Sequence, residues 1–304
     1  MKLISFLTFL CYFCVIFEAY GQREYPPHIG GAKEFTYKTV GEIKLNLWII
    51  EPKNHKLIDN APAIVFFFGG GFNHGNPAQF VKHCEYLSSR GMVAIVADYR
   101  VRSRHDIKLI DCISDAKSAI RWVREHASEL GVDSNRIAAG GASSGGLLAA
   151  ACATLPKFDE ESENKDISSK PNALVLFNPG MLGPFNDFND LTSKEKNEWE
   201  KGVGTKPVNV SPYHNMHGKQ PSTIIFHGTA DKVVSFVTVE LFTKRMHEFG
   251  NKCTLIGYEG ESHRFFNYGN KSNALFIDTM YKMDEFLVSL GYLLGTPETV
   301  VFTN

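Results

Sequence analysis

Two kinds of hydrophobic spacing alternate along this chain. Residues 35–40 (FTYKTV) and 43–49 (IKLNLWI) alternate apolar and polar positions on either side of Gly41. A period of two puts alternate side chains on one face of a strand, so the pair predicts an antiparallel hairpin. Residues 64–68 (IVFFF) and 92–97 (MVAIVA) are continuous apolar runs, the pattern of strands covered on both faces. Shorter runs at 136–140, 172–177, 223–227 and 253–258 predict further strands. Between the runs the spacing changes to three and four. Residues 80–90 predict a helix stopped by Gly91, and Ile113, Ala116, Ile120, Val123, Ala127 and Leu130 predict a long one ending at Gly131. Residues 146–153 and 236–249, and the stripe of Phe276, Met280, Met283, Leu287 and Leu290, predict three more. Strands alternating with helices imply an α/β fold: a mostly parallel central sheet with helices on both faces and an N-terminal antiparallel hairpin.

The ends and loops refine this picture. Met1-Lys2 precedes an apolar run to about Phe17, and Ala19-Tyr20-Gly21 follows. That is the pattern of a secretory signal peptide over 1–21, cleaved before Gln22; the run is short for a membrane span. The expected organisation is therefore a leader and one catalytic domain over 22–304, secreted or periplasmic. Cys11 and Cys14 fall inside the leader. Cys84, Cys112, Cys152 and Cys253 sit in predicted helices or strands, widely spaced, and read as buried free thiols. Residues 157–170 form a charged loop expected to be solvated. Residues 180–210, with Pro184 and a charged run at 193–201, are a candidate lid or pocket wall.

The 304 residues carry a net charge of −1, which gives no reason to expect nucleic acid or an anionic membrane as partner. No HExxH and no Cys or His cluster is present, so no metal or cofactor is expected.

Candidate chemistry concentrates at Gly140-Gly141-Ala142-Ser143-Ser144-Gly145-Gly146, between a predicted strand and a predicted helix. Gly141, Ser143 and Gly145 match G-x-S-x-G, a strained turn that presents a serine hydroxyl and requires small neighbours. Ser144 lacks a Gly two residues before it, so Ser143 is the candidate nucleophile and Ser144 supplies a backbone N–H. Replacing Ser144 by Ala keeps that N–H and is expected to be mild. A serine needs a base, and the base an orienting carboxylate. Asp231, in HGTAD at 227–231, and His263, in GESH at 260–263, each follow a predicted strand. Both are expected at the carboxyl edge of the sheet, where α/β proteins place ligands. Gly69-Gly70-Gly71 ends another strand, so the N–H groups of Gly70, Gly71 and Ser144 are candidate oxyanion donors. The order Ser, Asp, His is that of the α/β-hydrolases.

With FFFGGGF at 66–72, DYR at 98–100, DAKSAIRW at 115–122, GGASSGG, HGTAD and ESHRFFNY at 261–268, the chain resembles serine esterases of the α/β-hydrolase fold. The resemblance covers roughly 35–292. It is close to the hormone-sensitive-lipase-like family and to bacterial carbohydrate esterases of the acetylxylan and feruloyl type. Phe68 replaces the usual His of H-G-G-G, Arg102-Ser103-Arg104-His105 replaces Ala-Pro-Glu, and Arg264 follows His263 where Gly is common. These departures lean toward the carbohydrate-esterase branch. The leader and the resemblance together imply a secreted, metal-independent carboxylesterase acting on short, acetyl-sized acyl groups carried by a small molecule or polysaccharide. Rival readings are a peptidase or lipase-like esterase on the same fold, or a non-catalytic binding module. Phe72, Phe185, Phe188, Phe265 and Phe266 are expected first as core residues, with packing on sugar faces as the second reading.

Overall fold

In the computed structural model, residues 25–184 and 192–297 are described; the expected leader, Phe185 and Phe188 lie outside them. The alternating hairpin forms as β1 (Lys33–Val40) and β2 (Ile43–Ile50), antiparallel to each other. The apolar runs become β3 (Ala61–Phe67), β4 (Val93–Ala97), β5 (Val132–Ala142), β6 (Ala173–Phe177), β7 (Ser222–Gly228) and β8 (Cys253–Tyr258). They join in one sheet of order β1-β2-β4-β3-β5-β6-β7-β8. β2 runs antiparallel to β4, and every pair from β4 to β8 is parallel.

Alternate residues of β3 point to opposite faces, as strand geometry requires. Val65 and Phe67 join a core with α2 (Leu109–Glu125), α3 (Ser144–Thr154) and α5 (Phe236–Glu248). Ile64 and Phe66 join a core with α1 (Val81–Ser89) and α6 (Ala274–Ser289) on the other side. The chain moves outward from β3 to β4 and then crosses back to β5 on the other side of β3. The crevice at the carboxyl ends of β3 and β5 is thus a topological switch point. The glycine loop after β3 and the serine turn after β5 meet there.

Two sequence expectations need correction, and the candidate lid gains a defined element. The long helix ends at Glu125 rather than near Gly131. Ala127 and Leu130 are buried, but in turns in which Leu130 N donates to His126 O at 3.0 Å and Val132 N to Ala127 O at 2.8 Å. The 157–170 loop is not merely solvated. Lys38, Lys117 and Arg121 are almost fully buried, and a buried cation needs a paired anion. The loop supplies Glu160 to Lys38 at 2.9 Å, Asp159 to Lys117 at 2.7 Å, and Asp159 and Glu163 to Arg121. In the candidate lid, residues 193–203 form a helix, α4 (Ser193–Val203). Thr192 and Glu195 cap each other at its start, and Gly204 ends it at φ +87°. Trp199 and Val203 bury its inner face, and Arg102 donates to Gly202 O at 3.0 Å. The four cysteines of the described chain are buried free thiols. Among the described residues no helix is long and apolar enough to cross a membrane.

Candidate active site

Ser143 sits between β5 and α3 with φ +52° and ψ −116°, a conformation L-residues rarely adopt. Its N–H donates to Phe177 O at 3.0 Å, and its carbonyl accepts from Gly180 N at 2.9 Å and Leu147 N at 3.2 Å. These bonds hold the strain from β6 and from the first turn of α3. Close packing explains the flanking glycine: a Cβ on Gly145 would lie 2.1 Å from Phe67 O. Ser143 is 5% exposed, and its Oγ has no hydrogen-bond partner among the described residues.

Asp231 and His263 meet as expected from their strand ends, with His263 Nδ1 2.6 Å from Asp231 Oδ2. The carboxylate is held at both oxygens. Oδ1 accepts from Val233 N at 2.8 Å and Val234 N at 3.0 Å; Oδ2 also accepts from Asn178 Nδ2 at 2.7 Å. Burial works to raise its pKa, but the bond to His263 and the backbone and Asn178 donors outweigh it. The carboxyl therefore stays below its ordinary range and is ionised. His227 approaches the same oxygen at 3.4 Å. Burial pushes the His227 pKa down, and its Nε2 lies 2.9 Å from Val234 O. We read it as a neutral ring donating to that carbonyl rather than as an ion pair.

Ser143 and His263 line one cleft of about 1000 Å³. Gly69 and Gly70 of the glycine loop line it as well. Gly70 has φ +146°, and a Cβ there would stand 2.1 Å from His74 O, so only glycine fits. Gly71 N donates to Ser144 Oγ at 3.1 Å, and Gly69 N to Gln79 Oε1 at 2.7 Å. Of the three expected oxyanion donors, Gly71 is thus turned onto a hydroxyl in this structure. Gln79 Nε2 donates to Asn267 Oδ1 at 3.0 Å and so ties the glycine loop to the loop bearing His263. His28, Ile29 and Gly30 form another wall. Their arm is anchored by the Tyr25 hydroxyl on Asp98 and by the Arg104 guanidinium 3.7 Å above the Tyr25 ring.

The core-packing reading of the aromatic residues holds for three of them. Phe72, Phe265 and Phe266 are 6%, 1% and 2% exposed, because they complete the cores; only Phe266 lines the cleft, where Tyr268 is the more exposed ring. No residue of 192–210 lines it. Nothing in the spacing of the sequence singles out Gln79, Asn267 or Tyr25 as neighbours of the site. Only Asn178 carried a signal, an amide directly after a parallel strand. Among the described residues no three His, Cys, Asp or Glu side chains gather as metal ligands do.

Fold and site together define an α/β-hydrolase of the serine-esterase class. Comparison with known proteins agrees: the family model BD-FAE matches residues 47–246, and the chain belongs to that family. Esterase 2 of Thermogutta terrifontis is 46% identical, with a TM-score of 0.86 over 91% of this chain and 99% of that one. Its structures include propionate-bound and butyrate-bound forms and one phosphorylated by paraoxon. Esterase LipC of Mycobacterium tuberculosis is 28% identical over 67% of this chain and 53% of its own. The "Probable isoprenylcysteine alpha-carbonyl methylesterase ICMEL1" of Arabidopsis thaliana is 26% identical over 85% of this chain and 56% of its own. The chain thus spans about half the length of these two curated relatives. The kinship supports the hormone-sensitive-lipase-like side of the resemblance; the names of these three proteins carry no carbohydrate esterase.

Proposed function

We propose that the protein is a secreted serine carboxylesterase that removes short acyl groups, acetyl foremost, from a polar alcohol such as a sugar. The observation that carries the reaction type is the strained Ser143 turn opening into the same cleft as the Asp231–His263 pair. Ser143 Oγ attacks the ester carbonyl while His263 Nε2 takes its proton. Asp231 holds Nδ1–H and stabilises the imidazolium. The N–H groups of Gly70, Gly71 and Ser144 receive the oxyanion. His263 then protonates the departing alcohol, and water, with His263 as base, releases the acid. Each step uses groups of this chain and needs no metal.

The substrate reading has two supports. Asn76, Gln79, Lys82, Glu85, Asn267 and Asn270 line the cleft, and such groups suit an alcohol rich in hydroxyls better than a lipid. The similar esterase 2 has been solved with propionate and with butyrate, both short acids. Secretion rests on the leader pattern at 1–21. The test is kcat/KM across p-nitrophenyl acetate, butyrate, octanoate and palmitate, with acetate release from acetylated xylan measured alongside. Acetate and butyrate are expected to lead. Preference for octanoate or longer, with no acetate released from acetylated sugar, refutes the substrate reading and favours a lipase-like enzyme.

A further inference from the structure

Two hydroxyls stand behind the glycine loop, and the reaction above uses neither. The Tyr99 hydroxyl, at the end of β4, donates to Phe68 O at 2.8 Å. Its ring stacks on Phe68 with centroids 4.2 Å apart. Phe68 is the residue that stands in place of the usual His before the three glycines. Ser144, at the start of α3, accepts from Gly71 N at 3.1 Å. Tyr99 is fully buried and Ser144 is 3% exposed. A hydroxyl has two acceptor sites, so Ser144 is able to receive Gly71 N–H without giving up its own proton. The glycine loop is thereby held at two points, by Tyr99 at the Phe68 carbonyl and by Ser144 at the Gly71 N–H.

We propose that the Ser144 hydroxyl, with Tyr99 holding the Phe68 carbonyl at the other end of the loop, is a positioning group for the oxyanion hole. It holds the Gly71 peptide with its N–H turned toward the residue that supplies the neighbouring donor. It then yields that N–H as the oxyanion forms. The physical reasons are two. Glycine loops have little conformational preference of their own, so without the hydroxyl the peptide between Phe68 and His74 loses a tether. A 3.1 Å bond to a neutral hydroxyl is a weak one, and a charged oxyanion is the stronger acceptor. The hydroxyl therefore orients the donor without competing for it in the transition state. Ser144→Ala, expected from sequence to be mild, is here given a definite cost in turnover.

The proposal rests on the serine-esterase reading, and its test separates the two. Paraoxon is reacted with the wild-type protein and the adduct is mapped by peptide mass. An adduct on Ser143 supports the reading; none, or one elsewhere, overturns the reading and the proposal with it. Ser144→Ala, Tyr99→Phe and the double variant are then compared for kcat and KM on p-nitrophenyl acetate and for the rate of phosphorylation by paraoxon, whose phosphoryl oxygen occupies the same hole. Each single variant is expected to lower kcat and the phosphorylation rate roughly three- to tenfold, the size of one neutral hydrogen bond, with KM within about twofold. The double variant is expected to be no slower than the slower single one, because both groups tether the same short glycine loop. Unchanged or faster turnover in Ser144→Ala, or a fully additive double variant, overturns the proposal. If Ser144→Ala does not fold, Tyr99→Phe, which keeps the ring stack, decides alone: unchanged rates there overturn it.

Discussion

Replacing Asp231 by Asn changes one oxygen for an NH₂ group, and the structure says which oxygen. The Oδ1 position accepts two backbone N–H groups, from Val233 at 2.8 Å and Val234 at 3.0 Å. A backbone donor cannot be reversed, so the remaining oxygen stays on that side. The NH₂ group then takes the Oδ2 position, facing Asn178 Nδ2 at 2.7 Å and His263 Nδ1 at 2.6 Å. Asn178 is able to turn its amide and present oxygen. His263 is able to accept only by moving its proton from Nδ1 to Nε2, the tautomer that cannot take the Ser143 proton. The expected loss is roughly 10⁴ in kcat, which corresponds to about 5 kcal/mol of transition-state stabilisation, with the fold retained. Steady-state kinetics on p-nitrophenyl acetate at neutral pH, with thermal unfolding as the control for folding, measures it. Glu261 is the nearest rival acid in sequence, but it pairs with Lys271 at 2.6 Å, so Glu261→Gln is expected to be close to neutral. Near-full activity in Asp231→Asn, with Glu261→Gln inactive, refutes this account of the triad.

Ser143→Ala is expected to lose on the order of 10⁶ in kcat and to give no paraoxon adduct; an adduct retained on Ser144 would reverse the assignment of the two serines. Gly145→Ala places a Cβ 2.1 Å from Phe67 O, backbone that cannot yield, so urea unfolding is expected to show a loss of roughly 1–3 kcal/mol or more; an unchanged midpoint contradicts that packing. His83 is fully buried, and burial pushes its pKa down from 6.5 to about 3. A depressed pKa means that its contribution to stability is complete above about 6.5 and is lost as pH falls toward 3. Wild type is expected to lose roughly 3 kcal/mol from this group between pH 7 and pH 4, and His83→Phe to be correspondingly flatter in urea titrations over that window; equal slopes refute the burial argument.

The sequence by itself determined the parts whose cause is local. A period of two or a continuous apolar run makes a strand, a stripe at three and four makes a helix, and their alternation makes a mostly parallel sheet. The tight turn at Ser143 was legible for the same reason: small residues within two positions of it permit a strained backbone. Asp231 and His263 were legible by their places after strands, since a parallel sheet brings all its carboxyl ends to one edge. What the tertiary structure decided is every partnership between distant segments. Asn178 reaches Asp231 across 53 positions, Ser144 reaches Gly71 across 73, and Gln79 reaches Asn267 across 188. Spacing along the chain carries no record of such pairs. Tertiary packing also decided that Phe265 serves the core alone while Phe266 serves that core and lines the cleft, and that the acids of the 157–170 loop answer buried cations on β1 and α2. The physical reason is the same in both cases. Burial fixes which apolar surface and which charge must find a partner, and only the folded arrangement of the sheet and its helices fixes which partner is near.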